Sequence, residues 1–404
     1  MAERGAVTTP EPIGVAVIGA GMAGRAHAAA YRTAATLYGL DRPAVRLVAV
    51  ADPNRPLAED VARRYGYQRA ETGWQAVAAA PDVAAVSVAA ANHLHREMAE
   101  GLLAAGKHVL CEKPLAASYA DAQAMTAAAE ASGLVAAVGY TYRRSPAISA
   151  VGQLLAAGEL GEIIQFSGRY WEDYALDPAT PLSWRYRGGT GSGALADLGS
   201  HLVDIAEQLC GPIAVVSGAM VGTAVTERPV PAASTVGHEH AAGTGAPGTV
   251  SAGPVENEDA AVFTARFGSG AAGSFSVSRV AHGQPDGLGF EVFGTAGSAA
   301  FDLHRMGEFS VSTAGPRPAV NGPRRVLVGP DHPYVRDGLP MVAGGVGYGT
   351  GDMFGYQARA FLDQICGLAG LPPCADFRAG LHGIAVLGAV AASARAGGTP
   401  VPVT

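Results

Sequence analysis

A glycine-rich turn, Gly19-Ala20-Gly21-Met22-Ala23-Gly24, separates a short apolar run, Ile13-Gly14-Val15-Ala16-Val17-Ile18, from a helical pattern over 24–40. Few folds accept such a turn, because it holds three positions where a side chain would be in the way. Gly19 lets the chain reverse tightly, Gly21 lets backbone approach a pyrophosphate, and Gly24 lets the new helix pack close to its strand. The amides that open the helix then face the anion. In a chain with 55 glycines the motif alone says little. Its place between a buried strand and a helix makes it specific, and it predicts a dinucleotide held over residues 19–24.

The same alternation continues. Strand patterns are expected at 45–51, 83–89, 108–111 and 135–140, with helices ending at 65 and over 93–105 and 118–132. Strands alternating with helices predict an α/β domain with a parallel sheet covered on both faces. Beyond about residue 143 the pattern changes. A helix over 146–157 precedes strands at 163–171, 213–221, 260–267, 272–280, 290–294 and 299–303, with a helix over 194–209 among them. Hairpin-like gaps such as Gly268-Ser269-Gly270 predict an α+β domain with a large, mostly antiparallel sheet. The expected organisation is a disordered leader over 1–12, a dinucleotide-binding domain over 13–142 and a second domain over 143–404, closed by helices within 352–404. Residues 222–259 hold no Leu, Ile, Met, Phe, Tyr or Trp and read as a long loop without a core of its own. His238-Glu239-His240 lies inside it and reads as solvated loop, so no metal site is expected.

Charge narrows the function. The net charge is −7 and no basic block occurs, which argues against nucleic acid as a partner. The apolar stretch 384–394 is too short to span a bilayer, and the N-terminus lacks a secretory layout, so no membrane is expected. The four cysteines, 111, 210, 366 and 374, have neither zinc nor disulfide spacing, which fits a reducing cytoplasm.

Several polar residues fall at the predicted carboxyl edge of the parallel sheet, where a dinucleotide crosses. Asp52 ends the second strand, where a carboxylate accepts from the adenosine ribose and repels a 2′-phosphate, favouring NAD. Arg55 could instead hold that phosphate, which leaves NADP open. Asn92 and His95 open the helix after the third strand, Asn92 as a helix cap, a cofactor contact or both. Glu112-Lys113-Pro114 follows the next strand. Only two lysines, Lys107 and Lys113, occur among the 28 basic residues, and an ammonium can share a proton where a guanidinium cannot. Lys107 reads as a surface connector. Pro114 restrains the backbone after Lys113, and a cis Lys113–Pro114 bond is an option. Further on, Asp197 and His201 stand four apart, neighbours on one helical face that Asp204 continues. A carboxylate beside an imidazole can orient it and raise its basicity.

Glu112-Lys113-Pro114 together with Asp197 and His201, behind a glycine-rich dinucleotide turn, closely resembles the Gfo/Idh/MocA oxidoreductase family, over nearly the whole chain from Ile13 to about Pro402. Tyr140-Thr141-Tyr142-Arg143-Arg144-Ser145-Pro146-Ala147, Leu182-Ser183-Trp184-Arg185-Tyr186, Ala281-His282-Gly283 and Gly345-Val346-Gly347-Tyr348-Gly349 point within it to the sugar 3-dehydrogenases. Ala90-Ala91-Asn92 lacks the Thr-Pro that often precedes this Asn. The resemblance implies a catalytic Lys113, Asp197 and His201, NAD as cofactor with contacts from residues 19–24, Asp52, Arg55, Asn92, His95, Glu112 and Lys113, and a homodimer or homotetramer formed through the C-terminal sheet. It implies hydride transfer from a secondary, C3-type hydroxyl of a pyranose sugar or glycoside such as an anhydrosugar. Tyr142, Arg143, Trp171, Trp184, Arg185 and Tyr348 become candidates for the sugar pocket, since aromatic faces suit a pyranose ring and guanidinium groups suit its hydroxyls; for each, core packing is the other reading. Three alternatives stay open: a glycoside hydrolase using transient C3 oxidation, a sugar, inositol or amino-sugar dehydrogenase of a biosynthetic pathway, and a catalytically silent sensor.

Overall fold

The structure, a computed structural model, describes residues 12–39, 42–189, 191–231, 251–313, 322–343, 345 and 347–404. The expected leader, apart from its last residue, and His238-Glu239-His240 lie outside the described residues. The chain divides into two compact units.

Unit 1 holds the residues up to Glu112, Gln123–Arg144 and Pro330–Phe377. Its sheet contains β1 (Ile13–Ile18), β2 (Val45–Ala51), β3 (Arg69–Glu71), β4 (Ala85–Val88), β5 (His108–Glu112) and β6 (Ala136–Gly139), in the order β3-β2-β1-β4-β5-β6. Every pairing is parallel. The strands are short apolar runs because both faces are covered. The helices between them are α1 (Met22–Ala34), α2 (Arg55–Tyr65), α3 (Trp74–Ala79) and α4 (His95–Ala104), followed after β5 by α5 (Tyr119–Ser132). β3 and α3 were not evident in the sequence: the strand is three residues long and the helix six, too short for a period to declare itself. The strand order reverses between β1 and β4, which opens a crevice at their carboxyl ends.

The closing helices do not all group with the second unit. Two C-terminal helices, α8 (Pro333–Arg336) and α9 (Thr350–Ile365), belong to unit 1. Phe361 and Leu362 of α9 share one core cluster with Ala30, Tyr31 and Ala34 of α1. Alanines on α1 present little bulk, so a second helix can approach closely and bury its apolar face. Arg359 and Asp363 are buried as an ion pair on α9, and Arg42 joins the same carboxylate at 2.9 Å.

Lys107 is not a surface residue. It is buried, and its ammonium donates to the carbonyls of Ala80 (2.7 Å) and Val83 (2.8 Å) just beyond α3. Burial pushes its pKa down. A cation there gives both carbonyls a charged donor, that of Ala80 in addition to the Val83 amide at 3.3 Å.

Unit 2 holds Lys113–Ala122, Ser145–Gly329 and Arg378–Thr404. Its elements are α6 (Pro146–Ala156), β7 (Ile163–Trp171), α7 (Ser200–Cys210), β8 (Ile213–Gly222), β9 (Glu227–Pro229), β10 (Ala252–Pro254), β11 (Ala260–Phe267), β12 (Ala272–Ser278), β13 (Gly287–Gly294), β14 (Gly297–Asp302), β15 (Glu308–Thr313), β16 (Arg324–Leu327), most of α10 (Phe377–Arg395), and β17 (Val401–Pro402). Nine strands form one sheet in the order β16-β15-β14-β13-β7-β12-β11-β8-β17. All its pairs are antiparallel except β12 with β7. Alternation sorts its two faces. Phe166, Tyr170, Phe263, Phe275, Phe290 and Phe301 point inward and are buried. Ser167, Ser274 and Thr264, paired across strands, point the other way, with Met220, Val262 and Phe293 exposed on that face.

The 222–259 stretch is not wholly loop. β9 and β10, near its two ends, pair as an antiparallel ribbon. Val230 and Val255 beside them pack on Ala175, Leu182 and Tyr186, so the ribbon borrows a core that it cannot build. The helix α10 is longer than the apolar stretch 384–394 and, at 19 residues, is long and apolar enough to cross a bilayer. It is built as a core helix, however. Val386 and Val390 are fully buried and His382 pairs with Glu207 at 2.8 Å.

Replacing Lys107 with Ala leaves two carbonyls without their charged donor. It is expected to cost about 1–3 kcal/mol of stability, read as a lower urea midpoint at unchanged m-value.

Candidate active site

Lys113 is the first residue of unit 2 and follows β5 directly; its peptide bond to Pro114 is cis. Its ammonium donates to the Asp197 carboxylate Oδ1 at 2.9 Å and to the Asp197 carbonyl at 2.9 Å. Both side chains are largely buried, at 16% and 21% exposure, so this is an ion pair with little water to screen it. The other carboxylate oxygen, Oδ2, accepts from the Tyr174 hydroxyl at 2.8 Å and from Arg185 Nη1 at 3.3 Å. The Arg185 guanidinium lies over the Trp184 ring. Burial alone would push the Asp197 carboxyl up, but Lys113, Arg185 and the Tyr174 hydrogen bond hold it well below the usual carboxylate range.

Asp197 does not sit on regular α-helix. Leu195–Gly199 forms a π-helical turn that runs into α7. The four-residue spacing to His201 therefore spans a widened turn, a form common at functional sites. His201 is buried, with its ring 6.2 Å from that of Tyr170. Burial and the Lys113 charge push its pKa well down against the pull of Asp197, so the imidazole is neutral. Asp204, one turn further, is buried in α7.

Two residues of this cluster were not singled out from sequence. Tyr174 and Glu172 lie just past β7, in Trp171-Glu172-Asp173-Tyr174, and only the path of the chain aims them at Asp197. Burial, then the negative charges of Asp197 and Asp286, push the Glu172 carboxyl up to about 7, despite a Tyr170 hydrogen bond.

In unit 1 the glycine-rich turn forms a cradle. Gly19 has φ +98°, and a Cβ there would lie 2.3 Å from the Ala89 carbonyl across the crevice. A Cβ on Gly24 would lie 1.8 Å from the Gly19 carbonyl. No side chain caps α1 and no acidic residue sits in its first turn, so its amides are left to an anion. Both Asp52 oxygens are engaged at this turn, accepting from the amides of Ala20 (2.9 Å) and Asn54 (2.8 Å). A carboxylate oxygen can accept again, so ribose contact is compatible with this arrangement.

Residues 13–140 match the family described as "Oxidoreductase family, NAD-binding Rossmann fold", and residues 148–300 match the "GFO/IDH/MocA C-terminal domain". The chain belongs to the Gfo/Idh/MocA oxidoreductase family. A levoglucosan dehydrogenase of Pseudarthrobacter phenanthrenivorans is 38% identical over 340 residues, 83% of this chain and 85% of that protein. A solved levoglucosan dehydrogenase in complex with NADH and levoglucosan superposes with a TM-score of 0.87 at 32% identity, covering 98% of this chain and 100% of that one. An oxidoreductase domain protein from Kribbella flavida does so with a TM-score of 0.87 at 35% identity, covering 97% and 99%.

This Gfo/Idh/MocA enzyme is thus an NAD-dependent oxidoreductase, and its cradle fits the cofactor. Arg55, the candidate for a 2′-phosphate, is exposed and bonded to Glu59 one turn along α2 at 3.1 Å. Asn92 is not the cap of α4: it is buried in a 3-10 turn, Asn92–Leu94, and Leu94 occupies the cap position. The buried His95 ring bonds the Ala90 carbonyl at 3.1 Å. Glu112 is tied into the interior, its Oε1 2.8 Å from His27 Nε2, while His27 Nδ1 meets Ser87 Oγ at 3.1 Å.

Of the six sugar-pocket candidates, Arg185, with Trp184 stacked on it, meets Asp197 within unit 2. Trp171 is turned the other way: its indole donates to Ser276 at 3.0 Å and carries Arg169 on the outward face of the sheet, because adjacent strand residues point to opposite sides. Tyr142, Arg143 and Tyr348 belong to unit 1, where Tyr142 and Tyr348 are buried and Arg143 lies over the Tyr140 ring. Among the described residues, no three His, Cys, Asp or Glu side chains are grouped to hold a metal.

The raised Glu172 carboxyl makes the folded state bind a proton that the unfolded chain releases at lower pH. Its contribution therefore favours folding at acid pH and is lost as pH rises through about 7. The stability of the enzyme relative to its Glu172→Gln variant is expected to fall between pH 5 and 8 in thermal melts; an unchanged difference would place this carboxyl in an ordinary environment.

Proposed function

We propose that the enzyme oxidises a secondary, C3-type hydroxyl of a pyranose sugar or glycoside such as an anhydrosugar. The observation that carries this reading is the buried Lys113–Asp197 pair beside His201, in a chain similar to a levoglucosan dehydrogenase over 83% of its length. When bound, NAD supplies the acceptor for the two electrons and the hydrogen removed from carbon. The chain supplies the rest. His201, kept neutral by burial, takes the hydroxyl proton. Lys113 donates a hydrogen bond to the oxygen as negative charge grows on it. Asp197 holds the Lys113 ammonium in place and offsets the charge of a protonated His201. Arg185 and Trp184 offer a guanidinium and an aromatic face to the ring, and Tyr142, Arg143 and Tyr348 stay in this reading as further contacts.

The same proposal includes self-association through the outward face of the nine-stranded sheet, as a homodimer or homotetramer. That face is lined by small polar side chains and exposes Met220, Val262 and Phe293, with Val262 paired across strands to Met220. A face of this kind, with apolar side chains left exposed on it, favours a second copy. A cytoplasmic setting completes the reading; no disulfide joins the four cysteines.

Lys113→Ala and His201→Ala are each expected to lose roughly 10²–10⁴ in turnover while still binding NADH. Stopped NADH formation with retained NADH fluorescence titration is the result that checks it, and normal turnover in either variant would sink the assignment. A panel of pyranosides, anhydrosugars and inositols, followed by NADH absorbance, identifies the substrate class. Glycoside cleavage without net NADH would move the assignment to the hydrolase reading.

A further inference from the structure

The tetrapeptide Glu256-Asn257-Glu258-Asp259 stands at the end of the stretch whose composition suggested only a loop, yet it touches both segments that converge on Asp197. One is the loop that carries Trp184 and Arg185. The Asn257 amide donates to the Arg185 carbonyl at 2.9 Å, to Ser192 Oγ at 2.8 Å and to the Arg187 carbonyl at 3.4 Å. Arg279 donates to the Asn257 side-chain oxygen at 2.8 Å and to the same Arg185 carbonyl at 3.0 Å. Arg279 is itself fully buried and clamped by Asp259 at 2.8 Å. The Glu256 carboxylate accepts from the Gly188 amide at 2.6 Å. The other segment is the π-helical turn of Asp197. Glu258 Oε1 accepts from the Leu195 amide at 2.9 Å, and the Glu258 carbonyl accepts from the Ala194 amide at 3.0 Å. A side chain on Gly193, at φ +103°, would strike the Glu258 carboxylate at 2.4 Å, so the approach is as close as a glycine permits.

We infer that Asn257 and Glu258 are positioning residues of the active site, Asn257 setting Arg185 against Asp197 and Glu258 setting the turn from which Asp197 reaches Lys113. Neither touches a catalytic side chain directly among the contacts above. Each fixes the backbone beneath one: Asn257 two bonds from the Arg185 Cα, Glu258 two residues before Asp197. Their bonds to the Arg185 carbonyl and the Leu195 amide are half-buried and hold backbone groups that no sheet ladder holds. A loop freed from such bonds moves by more than the tolerance of a catalytic contact, and a misplacement of about 1 Å can cost on the order of 10²-fold in rate.

This inference rests on the active-site reading above, and Lys113→Ala tests that first: if it retains turnover, the reading of the site fails. With that variant inactive, Asn257→Asp is the decisive one. It keeps the size and the acceptor for Arg279 but removes both amide hydrogens. Expected is a fall in kcat/KM of roughly 10²-fold with unchanged NADH affinity. The same change in an Arg185→Ala background is expected to do little more, because both act on one contact. Wild-type kcat/KM in Asn257→Asp, or a loss that simply adds to that of Arg185→Ala, overturns the role of Asn257. If Asn257→Asp does not fold, the Glu258 pair decides: Glu258→Gln keeps an acceptor for the Leu195 amide and is expected to retain activity, whereas Glu258→Ala is expected to lose kcat while binding NADH. Equal kinetics in those two variants overturn the inference.

Discussion

Lys113 and Asp197 meet largely out of water, and a charge moved out of water costs several kcal/mol unless its partners compensate. Much of unit 2 around them answers that demand. One carboxylate oxygen takes the ammonium, the other takes a phenol and a guanidinium. The guanidinium is backed by an aromatic face, and its loop is anchored by the Asp259–Arg279–Asn257 chain. Two cations now face one carboxylate. That balance holds the Asp197 carboxyl low against its burial, while burial first and the Lys113 charge second keep His201 neutral. Glu172 nearby has a raised pKa, first because burial penalises its charge and then because Asp197 and Asp286 repel it.

The cofactor cradle obeys a different constraint, which is space. Gly19 and Gly24 are where backbone meets backbone, within distances that no Cβ tolerates. Such contacts carry little energy by themselves. They decide whether the amides of α1 can be presented bare, and Asp52 completes the turn by bonding the Ala20 amide. Behind that turn α1 is covered by α9, a helix from the far end of the chain, which makes the dinucleotide unit discontinuous in sequence.

Much of this was legible beforehand, unevenly. Strands β1, β2, β7 and β11 matched their expected limits because long apolar or alternating runs leave one arrangement that buries them. Lys113, Asp197 and His201 were singled out because lysine is rare here and because the aspartate and histidine stand four apart; that spacing gave no sign of the π-helical turn from which Asp197 meets Lys113. Lys107 shared the rarity but not the reading. Its two carbonyl partners lie more than twenty residues away, so nothing local marked it as buried. Trp171, open to either packing or ligand contact in the sequence, lies on the outward face of the sheet, because a period of two sends it opposite to the inward Tyr170.

By itself the sequence determined the elements and their chemistry: a parallel sheet opened by a glycine turn, a larger antiparallel one, a lysine at the end of β5, and a carboxylate and imidazole near the start of α7. These depend on period, turn geometry and residue type, all of which act over a few residues. Tertiary structure alone decided what meets across distance. It brought Tyr174 and Arg185 to the second oxygen of Asp197, α9 to α1, and Asn257 and Glu258 beneath the two segments that converge there. The physical reason is that a hydrogen bond is specified by position within a few tenths of an ångström, and only the packed core fixes positions that finely between residues far apart in the chain.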